Sequence, residues 1–136
     1  MYQRLLRNGK DLTLAKILIV DDDRTTVKLL QTLLELDGYE VGIAPRGADV
    51  IPTALEFQPD IFLMDYHLSD IDGVEIVREL RGGAAGGIFV KTPIVVASGL
   101  DVEDEVIEAG ANAFLVKPFE PEDLTPLFNR LIAETG

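Results

Sequence analysis

Four of the five short apolar runs in this sequence are followed at once by polar residues that could do chemistry. These residues are Asp21 and Asp22 after the first run, Asp65 after the third, Ser98 after the fourth and Lys117 after the fifth. If the runs are parallel strands of one sheet, their carboxyl ends lie at one edge and these side chains converge. Neighbouring carboxylates repel one another unless a cation compensates them, and Mg²⁺ prefers oxygen ligands of this kind. The residue types therefore predict a magnesium site.

The same residues predict phosphoryl transfer. A carboxylate beside a metal ion and an ammonium group is a suitable nucleophile toward phosphorus, because its own charge and the incoming phosphoryl charge are both neutralised. Asp65 with Lys117 fits this description, and Ser98 offers a hydroxyl to a phosphoryl oxygen. Each residue alone has an ordinary explanation, such as a helix N-cap for Asp22 or Asp23. The combination at four strand ends favours the chemical interpretation.

The elements that must position these residues alternate regularly along the chain. The apolar runs are strand-sized and lack polar alternation, which is typical of parallel strands covered on both faces; they span residues 16–20, 39–44, 61–64, 93–97 and 113–116. Amphipathic patterns predict helices over residues 24–37, 46–57, 72–81, 101–109 and 120–133. Five such units with short connections predict an α/β domain, a doubly wound parallel sheet with helices on both faces.

Two of the predicted helices carry recognisable start signals. Asp72 with Glu75 three residues later has the spacing of a capping box. Pro121 stands at the first position of the last helix, where proline is tolerated.

Two segments fall outside the alternation. Residues 1–14 are expected to form an N-terminal extension, partly helical around Leu5 and Leu6 or frayed, and residues 15–136 form the domain itself. Residues 82–87 are rich in glycine, but no Gly-Lys-Ser/Thr follows them, so they are interpreted as a flexible linker rather than a phosphate loop.

Composition limits the class of protein. A length of 136 residues fits one domain, and the absence of cysteine excludes disulfides and thiolate metal sites. No apolar run approaches the roughly 18 residues of a membrane span, so we expect a soluble, cytoplasmic protein. The net charge of −12 repels phosphate backbones, so direct nucleic acid binding by this domain is not expected.

The residues around the strand ends resemble a known family. The sequence has Ile-Leu-Ile-Val-Asp-Asp-Asp at 17–23, Leu-Met-Asp-Tyr-His-Leu at 63–68, Asp-Gly-Val-Glu at 72–75, Pro-Ile-Val-Val-Ala-Ser-Gly at 93–99 and Val-Lys-Pro-Phe at 116–119. Over about residues 15–136 it resembles the receiver (CheY-like) domain of two-component response regulators. The resemblance implies a flavodoxin-like (βα)5 fold with strand order 2-1-3-4-5.

The resemblance also implies a role for each candidate residue. Asp65 would be the phosphoacceptor, Lys117 its cationic partner, Ser98 the hydroxyl that moves to the phosphoryl group, and Phe114 the aromatic switch residue. The Mg²⁺ ligands implied are the side chains of Asp22 and Asp65, the backbone carbonyl of His67, and Asp21 through a water molecule. A cis Lys117–Pro118 peptide bond is implied as well.

The chain departs from the family pattern in the loops around the site. Leu68-Ser69 replaces the usual Met-Pro, which is expected to loosen that loop, and Gly99 replaces the usual alanine. His67 and Leu100 occupy two positions that tune phosphoryl lifetime in the family. We interpret the His67 ring as a partly exposed neighbour of the site rather than a proton shuttle.

The implied function is that of a signalling switch rather than an enzyme: a phosphoacceptor that assists its own phosphorylation and dephosphorylation. Its implied partners are a sensor histidine kinase or histidine phosphotransfer protein. The surface that changes would be formed by the fourth helix, the fifth strand and the fifth helix, where a downstream effector or a second copy docks. The sequence fits both a stand-alone regulator and a segment of a longer protein.

Two alternatives compete with this interpretation. Residues 21–25 also match the Asp-x-Asp-x-Thr motif of haloacid-dehalogenase-like phosphatases, with Asp21 as nucleophile and Asp23 as acid/base. That family needs a later acidic motif on a strand, whereas the acidic residues here fall on the last predicted helix, and Asp65 is left unexplained. The second alternative is a receiver-like scaffold that is never phosphorylated, which usually lacks acceptor or metal residues that this chain retains.

Overall fold

The computed structural model describes residues 4–7 and 10–135 of the chain. Strands β1 (Arg4–Arg7) and β2 (Lys10–Leu14) form a two-stranded antiparallel sheet of their own. Five parallel strands form the main sheet: β3 (Lys16–Val20), β4 (Glu40–Ala44), β5 (Ile61–Asp65), β6 (Ile94–Ser98) and β7 (Ala113–Val116). Their order is β4-β3-β5-β6-β7, which is 2-1-3-4-5 when these five are counted, and this confirms the predicted fold.

Helices connect the parallel strands. They are α1 (Arg24–Leu36), α2 (Gly47–Phe57), α3 (Gly73–Arg81), α4 (Glu103–Ala109) and α5 (Leu124–Thr135), with short 3-10 turns at Gly83–Ala85 and Pro121–Asp123. Within the described residues, no helix combines the length and the apolar character that a membrane crossing requires.

The helices cover the main sheet on both sides and enclose two cores. Leu18 and Phe62 belong to the first core, which includes residues of α2, α3 and α4. Ile17 and Ile61 belong to the second core, which includes residues of α1 and α5. All four are 0% exposed, because successive strand residues point to opposite faces and each face is covered. Burial on both faces explains why the runs are apolar without alternation.

The helix starts differ in detail from the sequence prediction. Asp72 is the N-cap of α3, but its side chain makes no capping hydrogen bond to the described residues. Glu75, which would reach back to the Asp72 amide in a capping box, pairs with Arg78 along the helix instead. The predicted capping box is therefore wrong. The helix α4 begins at Glu103 rather than 101, since the Val102 amide donates to Leu100 and closes a turn first.

The N-terminal segment is extended where it is described. Leu5 and Leu6 lie in β1, with Arg4 opposite Leu14 and Arg7 opposite Lys10 in β2. The expectation of a partly helical or frayed extension is therefore wrong for residues 4–7 and 10–14; residues 1–3, 8 and 9 of that extension lie outside the described residues.

The glycine-rich connection between α3 and β6 is anchored to the body of the domain. Ala85 and Phe89 are buried, and the Phe89 ring packs edge-on against Phe62 with centroids 5.6 Å apart. The Arg81 guanidinium donates hydrogen bonds of 2.7 Å to the carbonyl oxygens of both Phe89 and Thr92. The expectation of a plain flexible linker misses these contacts.

Candidate functional site

The structure brings together the three carboxylates that the strand ends predict. Asp21 and Asp22 follow β3, and Asp65 is the last residue of β5, the strand that pairs with β3. One carboxylate oxygen from each lies within 4.8 Å of the others. Asp21 is buried, with 6% of its surface exposed, whereas Asp22 is exposed and Asp65 lies between these extremes. The arrangement is a set of hard oxygen donors open to solvent on one side.

Electrostatics separate the roles of the acidic residues after β3. Burial raises the pKa of Asp21, and the nearby Asp65 adds to this, although the Asp23 amide donates a 2.9 Å hydrogen bond to Asp21 Oδ1. Asp23 faces the helix instead. Its carboxylate accepts hydrogen bonds from the Thr26 hydroxyl (2.7 Å) and the Thr25 amide (3.2 Å), and the Thr26 bond lowers its pKa most. Asp23 therefore caps α1 and is not one of the three clustered carboxylates.

Lys117 faces Asp65 from the end of β7. Its Nζ donates a 2.9 Å hydrogen bond to Asp65 Oδ1, and the two side chains form an ion pair. The Lys117 amide also donates to the Ser98 carbonyl at 2.9 Å, which fixes the lysine beside the end of β6. The Lys117–Pro118 peptide bond is cis, as the resemblance implies. The positive charge therefore stands next to the carboxylate that ends β5.

Ser98 is the last residue of β6 and is completely buried. Its Oγ accepts a 3.0 Å hydrogen bond from the Leu100 amide and lies 3.4 Å from Nε2 of His67. The register of β6 with β7 pairs Val96 with Phe114, so Phe114 lies on the strand next to Ser98. Phe114 is half-buried and packs against the first core.

The loop after Asp65 is held by close backbone contacts. The Tyr66 amide donates to Ala97 (2.9 Å), and the Gly73 amide donates to the Tyr66 carbonyl (2.7 Å). A Cβ atom at Gly73 would stand 2.9 Å from Tyr66 Cα and 3.0 Å from the Asp65 carbonyl oxygen. Glycine is therefore required where α3 begins beside this loop. The His67 side chain is exposed, as expected of a neighbour of the site.

Asp70 is a positioning residue that the sequence reasoning missed. Its two carboxylate oxygens accept hydrogen bonds from the Gly47 (2.8 Å) and Ala48 (2.9 Å) amides at the start of α2, and these bonds lower its pKa. This contact ties the Asp65 loop to α2 in a chain that lacks the usual Met-Pro, so the loosening expected from Leu68-Ser69 is opposed. The two partners are more than twenty residues away in sequence, so no local pattern marks the contact.

An open parallel sheet in this order, with carboxylates and a lysine at the carboxyl ends of its strands, defines a doubly wound domain of the flavodoxin-like kind. Residues 17–129 match the family model of the response regulator receiver domain. The chain belongs to this family, and it is a receiver domain of two-component response regulators.

Individual relatives agree with this assignment. The chain is 35% identical over 127 residues to the transcriptional regulatory protein PrrA of Mycobacterium tuberculosis, which covers 91% of the chain and 52% of PrrA. The chain spans about half the length of the curated relatives it matches.

Two solved structures show the same fold. The chemotaxis response regulator CheY4 of Vibrio cholerae superposes with a TM-score of 0.79 at 30% identity, over 88% of this chain and 99% of that one. The receiver domain of the sensor histidine kinase PA1611 from Pseudomonas aeruginosa has a TM-score of 0.77 at 29% identity, over 88% and 98% of the two chains. That structure has a magnesium ion coordinated in its active site cleft.

The phosphatase alternative is not favoured. Asp23, its required acid/base, is engaged in capping α1. Glu122 and Asp123 lie in the 3-10 turn before α5 rather than on a strand. The match of residues 17–129 to the receiver family favours the receiver interpretation instead.

Proposed function

We propose that Asp65 is the residue of this receiver domain that becomes phosphorylated. The observation that carries the proposal is the position of its carboxylate, which lies within 4.8 Å of those of Asp21 and Asp22 and 2.9 Å from the Lys117 ammonium. A nucleophilic carboxylate needs positive charge on the side from which the phosphoryl group arrives. The proposed donor is a phosphohistidine of a sensor histidine kinase or phosphotransfer protein.

The donor set of the site fits Mg²⁺. Carboxylate and carbonyl oxygens are the ligands this ion uses, and it retains several waters. The proposed ligands are the side chains of Asp22 and Asp65, the carbonyl of His67, and Asp21 through water. A bound Mg²⁺ would offset the negative charge that the carboxylates and the phosphoryl oxygens bring together.

Three side chains of the protein have separate roles in the proposed phosphoryl transfer. An oxygen of the Asp65 carboxylate attacks phosphorus, and the new O–P bond forms as the N–P bond of the phosphohistidine breaks. The departing imidazole takes up a proton. Lys117 compensates charge on the acyl phosphate, and the Ser98 hydroxyl donates a hydrogen bond to a phosphoryl oxygen.

The proposed conformational response to phosphorylation depends on Ser98 and Phe114. When Ser98 turns toward the phosphoryl group it leaves space that Phe114, on the neighbouring strand, can fill. Phe114 has no hydroxyl to desolvate, unlike the tyrosine often found in the family. The inward state is therefore partly populated without phosphate, and phosphorylation shifts an existing equilibrium. The surface that changes comprises α4, β7 and α5, where an effector or a second copy docks.

The experiment is labelling with acetyl phosphate and Mg²⁺, followed by intact-mass analysis. Wild type should gain one phosphoryl group, Asp65→Asn should gain none, and Asp101→Asn should behave as wild type because Asp101 is an exposed residue outside the acidic cluster. Equal labelling of wild type and Asp65→Asn would refute the assignment.

We also propose a division of the chain into a short extension and a receiver unit. Residues 15–136 form the receiver unit, and residues 1–14 form an extension that includes the β1–β2 pair. The family match at residues 17–129 and the separate sheet of the extension support this division.

A further inference from the structure

The Ser98 hydroxyl has a second contact besides the Leu100 amide. Ser98 Oγ already accepts the Leu100 N–H bond at 3.0 Å, so its own hydrogen is left to be donated. Nε2 of His67 lies 3.4 Å away. With the imidazole proton on Nδ1, Nε2 is an acceptor for that hydrogen. The hydroxyl therefore has a partner in the unphosphorylated protein that it must give up when it turns to a phosphoryl oxygen.

The His67 ring is held in place by Tyr66. The two rings meet edge to face, with centroids 4.7 Å apart and planes at 69°, a favourable arrangement for aromatic pairs. Tyr66 is only 8% exposed and belongs to the first core. An otherwise exposed imidazole is thus placed against a buried ring.

Tyr66 is in turn fastened to α4. Its hydroxyl donates a 3.1 Å hydrogen bond to Oε1 of Glu105, near the start of that helix. The contacts therefore run without a gap from Ser98 through His67 and Tyr66 to α4.

We infer that His67 is a positioning residue that holds the Ser98 hydroxyl away from the phosphoryl site, and that Tyr66 and Glu105 link this restraint to α4. The inference rests on the proposed function, because Ser98 has a reason to turn only if Asp65 is phosphorylated. It adds a route from the site to α4 that does not pass through Phe114. This route runs through Tyr66 and His67, the two residues that follow Asp65 in sequence.

The restraint has a measurable consequence. His67 and a phosphoryl oxygen compete for one hydroxyl hydrogen, so removing the imidazole should favour the phosphoryl-bound state. A neutral hydrogen bond of ordinary net strength corresponds to a change of about 2- to 10-fold in an equilibrium constant. When Ser98 turns inward, the His67 ring is released, and the Tyr66–Glu105 bond no longer holds α4 in a single position.

The test is a titration with beryllofluoride, a phosphoryl mimic, in the presence of Mg²⁺. The NMR signals of the α4 backbone amides are recorded at each concentration, and they give the midpoint of the response. His67→Ala should respond at about 2- to 10-fold lower beryllofluoride concentration than wild type. His67→Gln should lie close to wild type, because its side-chain amide reaches the place of Nε2 and can accept the Ser98 hydrogen. Ser69→Ala, an exposed substitution in the same loop, is the control and should not move the midpoint.

A double-mutant cycle separates positioning from direct contact. If His67 acts through Ser98, then His67→Ala should have no effect in a Ser98→Ala background. An effect that persists there means that the imidazole touches the phosphoryl group itself, and this overturns the inference.

Tyr66→Phe tests the link to α4, since it removes only the hydroxyl that reaches Glu105. It should shift the midpoint in the same direction as His67→Ala. An unchanged midpoint in Tyr66→Phe refutes the α4 link, and an unchanged midpoint in His67→Ala refutes the restraint. A wild-type protein that does not bind beryllofluoride at all counts against the phosphoacceptor proposal instead.

Discussion

Among the single residues, Gly73 sets how closely α3 approaches the chain that follows Asp65. Its amide donates to the Tyr66 carbonyl at 2.7 Å, so the two backbones are in direct contact. The loop that follows Asp65 therefore depends on a residue that has no side chain. A functional role can be assigned to Asp65 from its chemistry, but its position depends on this neighbour.

The substitution Gly73→Ala should destabilise the domain. The new Cβ would stand 2.9 Å from Tyr66 Cα and 3.0 Å from the Asp65 carbonyl oxygen, and both are backbone atoms that cannot rotate away. Overpacking of this kind costs about 1–3 kcal/mol in the free energy of unfolding. Urea denaturation of the variant and wild type measures the difference.

Gly83→Ala is the matched control for this prediction. A Cβ at Gly83 meets nothing within 4 Å among the described residues, so its effect on stability should stay within about 0.5 kcal/mol. If Gly73→Ala unfolds at the same urea concentration as Gly83→Ala, the close approach at the Asp65 loop is not a stability constraint.

Among the elements, the end of α3 is joined to two connections by Arg81. The guanidinium donates to the Phe89 and Thr92 carbonyls before β6, and to the Gly110 carbonyl (2.9 Å) and Asn112 Oδ1 (2.7 Å) before β7. Arg81 is half-buried, and this burial lowers the pKa of its guanidinium. These bonds hold α3, the glycine-rich connection and the loop after α4 in one arrangement.

Arg81→Met should therefore lower the free energy of unfolding by about 1–3 kcal/mol, because it leaves partly buried carbonyl groups without their donors. Arg78→Met is the control: Arg78 lies on the same helix, is exposed and pairs only with Glu75 among the described residues. The free energy of unfolding of Arg78→Met should fall by about 0.5 kcal/mol or less. Chemical denaturation of both variants measures the contrast, and equal losses would show that the Arg81 bonds contribute no more than a surface pair.

The parts of this fold that could be predicted from sequence are those with a local cause. The strands were predicted because both faces of the main sheet are buried, which leaves apolar runs such as Ile17–Ile19 and Ile61–Met64 without polar alternation. The clustering of Asp21, Asp22 and Asp65 followed from the common edge where parallel strands end, and the structure confirms it.

The sequence analysis missed two kinds of feature: contacts between residues that are far apart in sequence, and one local signal that was overlooked. Asp70 caps a helix more than twenty residues away, and Phe89 is buried by a partner on β5, so neither shows in a local pattern. The β1–β2 pair was different, because Asn8-Gly9 in the sequence is the dipeptide most typical of a two-residue hairpin turn. That signal was present and would have replaced the helical expectation around Leu5.

At the scale of the whole molecule, Mg²⁺ should stabilise the unphosphorylated fold. The folded chain holds three carboxylates close together, whereas an unfolded chain would not, so the ion should bind the folded state in preference to the unfolded one. At a hundred times its dissociation constant it should add about 2.7 kcal/mol. Thermal melts with Mg²⁺ and with EDTA at matched ionic strength measure the shift.

Two variants control the magnesium prediction. Asp22→Ala removes a proposed ligand and should abolish most of the shift, while Asp101→Ala removes an exposed acid outside the cluster and should keep it. A shift of the same size in both variants would mean that Mg²⁺ screens the acidic surface in general, as a net charge of −12 allows. That result would remove support for a specific site.

The last prediction concerns how far a phosphoryl signal travels through the domain. Ser98 and Phe114 lie on neighbouring strands, and α4 and α5 flank the edge strand β7 in the first and second cores. Beryllofluoride with Mg²⁺ should therefore shift the backbone amide signals of residues 101–133, beyond the metal site. Ser98→Ala should still permit Asp65 labelling but weaken this response, since the lost hydrogen bond to a charged group is worth about 1.5–3 kcal/mol. Ser69→Ala removes a comparable hydroxyl from an exposed loop position and should respond as wild type does. Shifts confined to the residues around Asp21, Asp22 and Asp65 would show that this chain binds a phosphoryl group without switching its α4–β7–α5 surface.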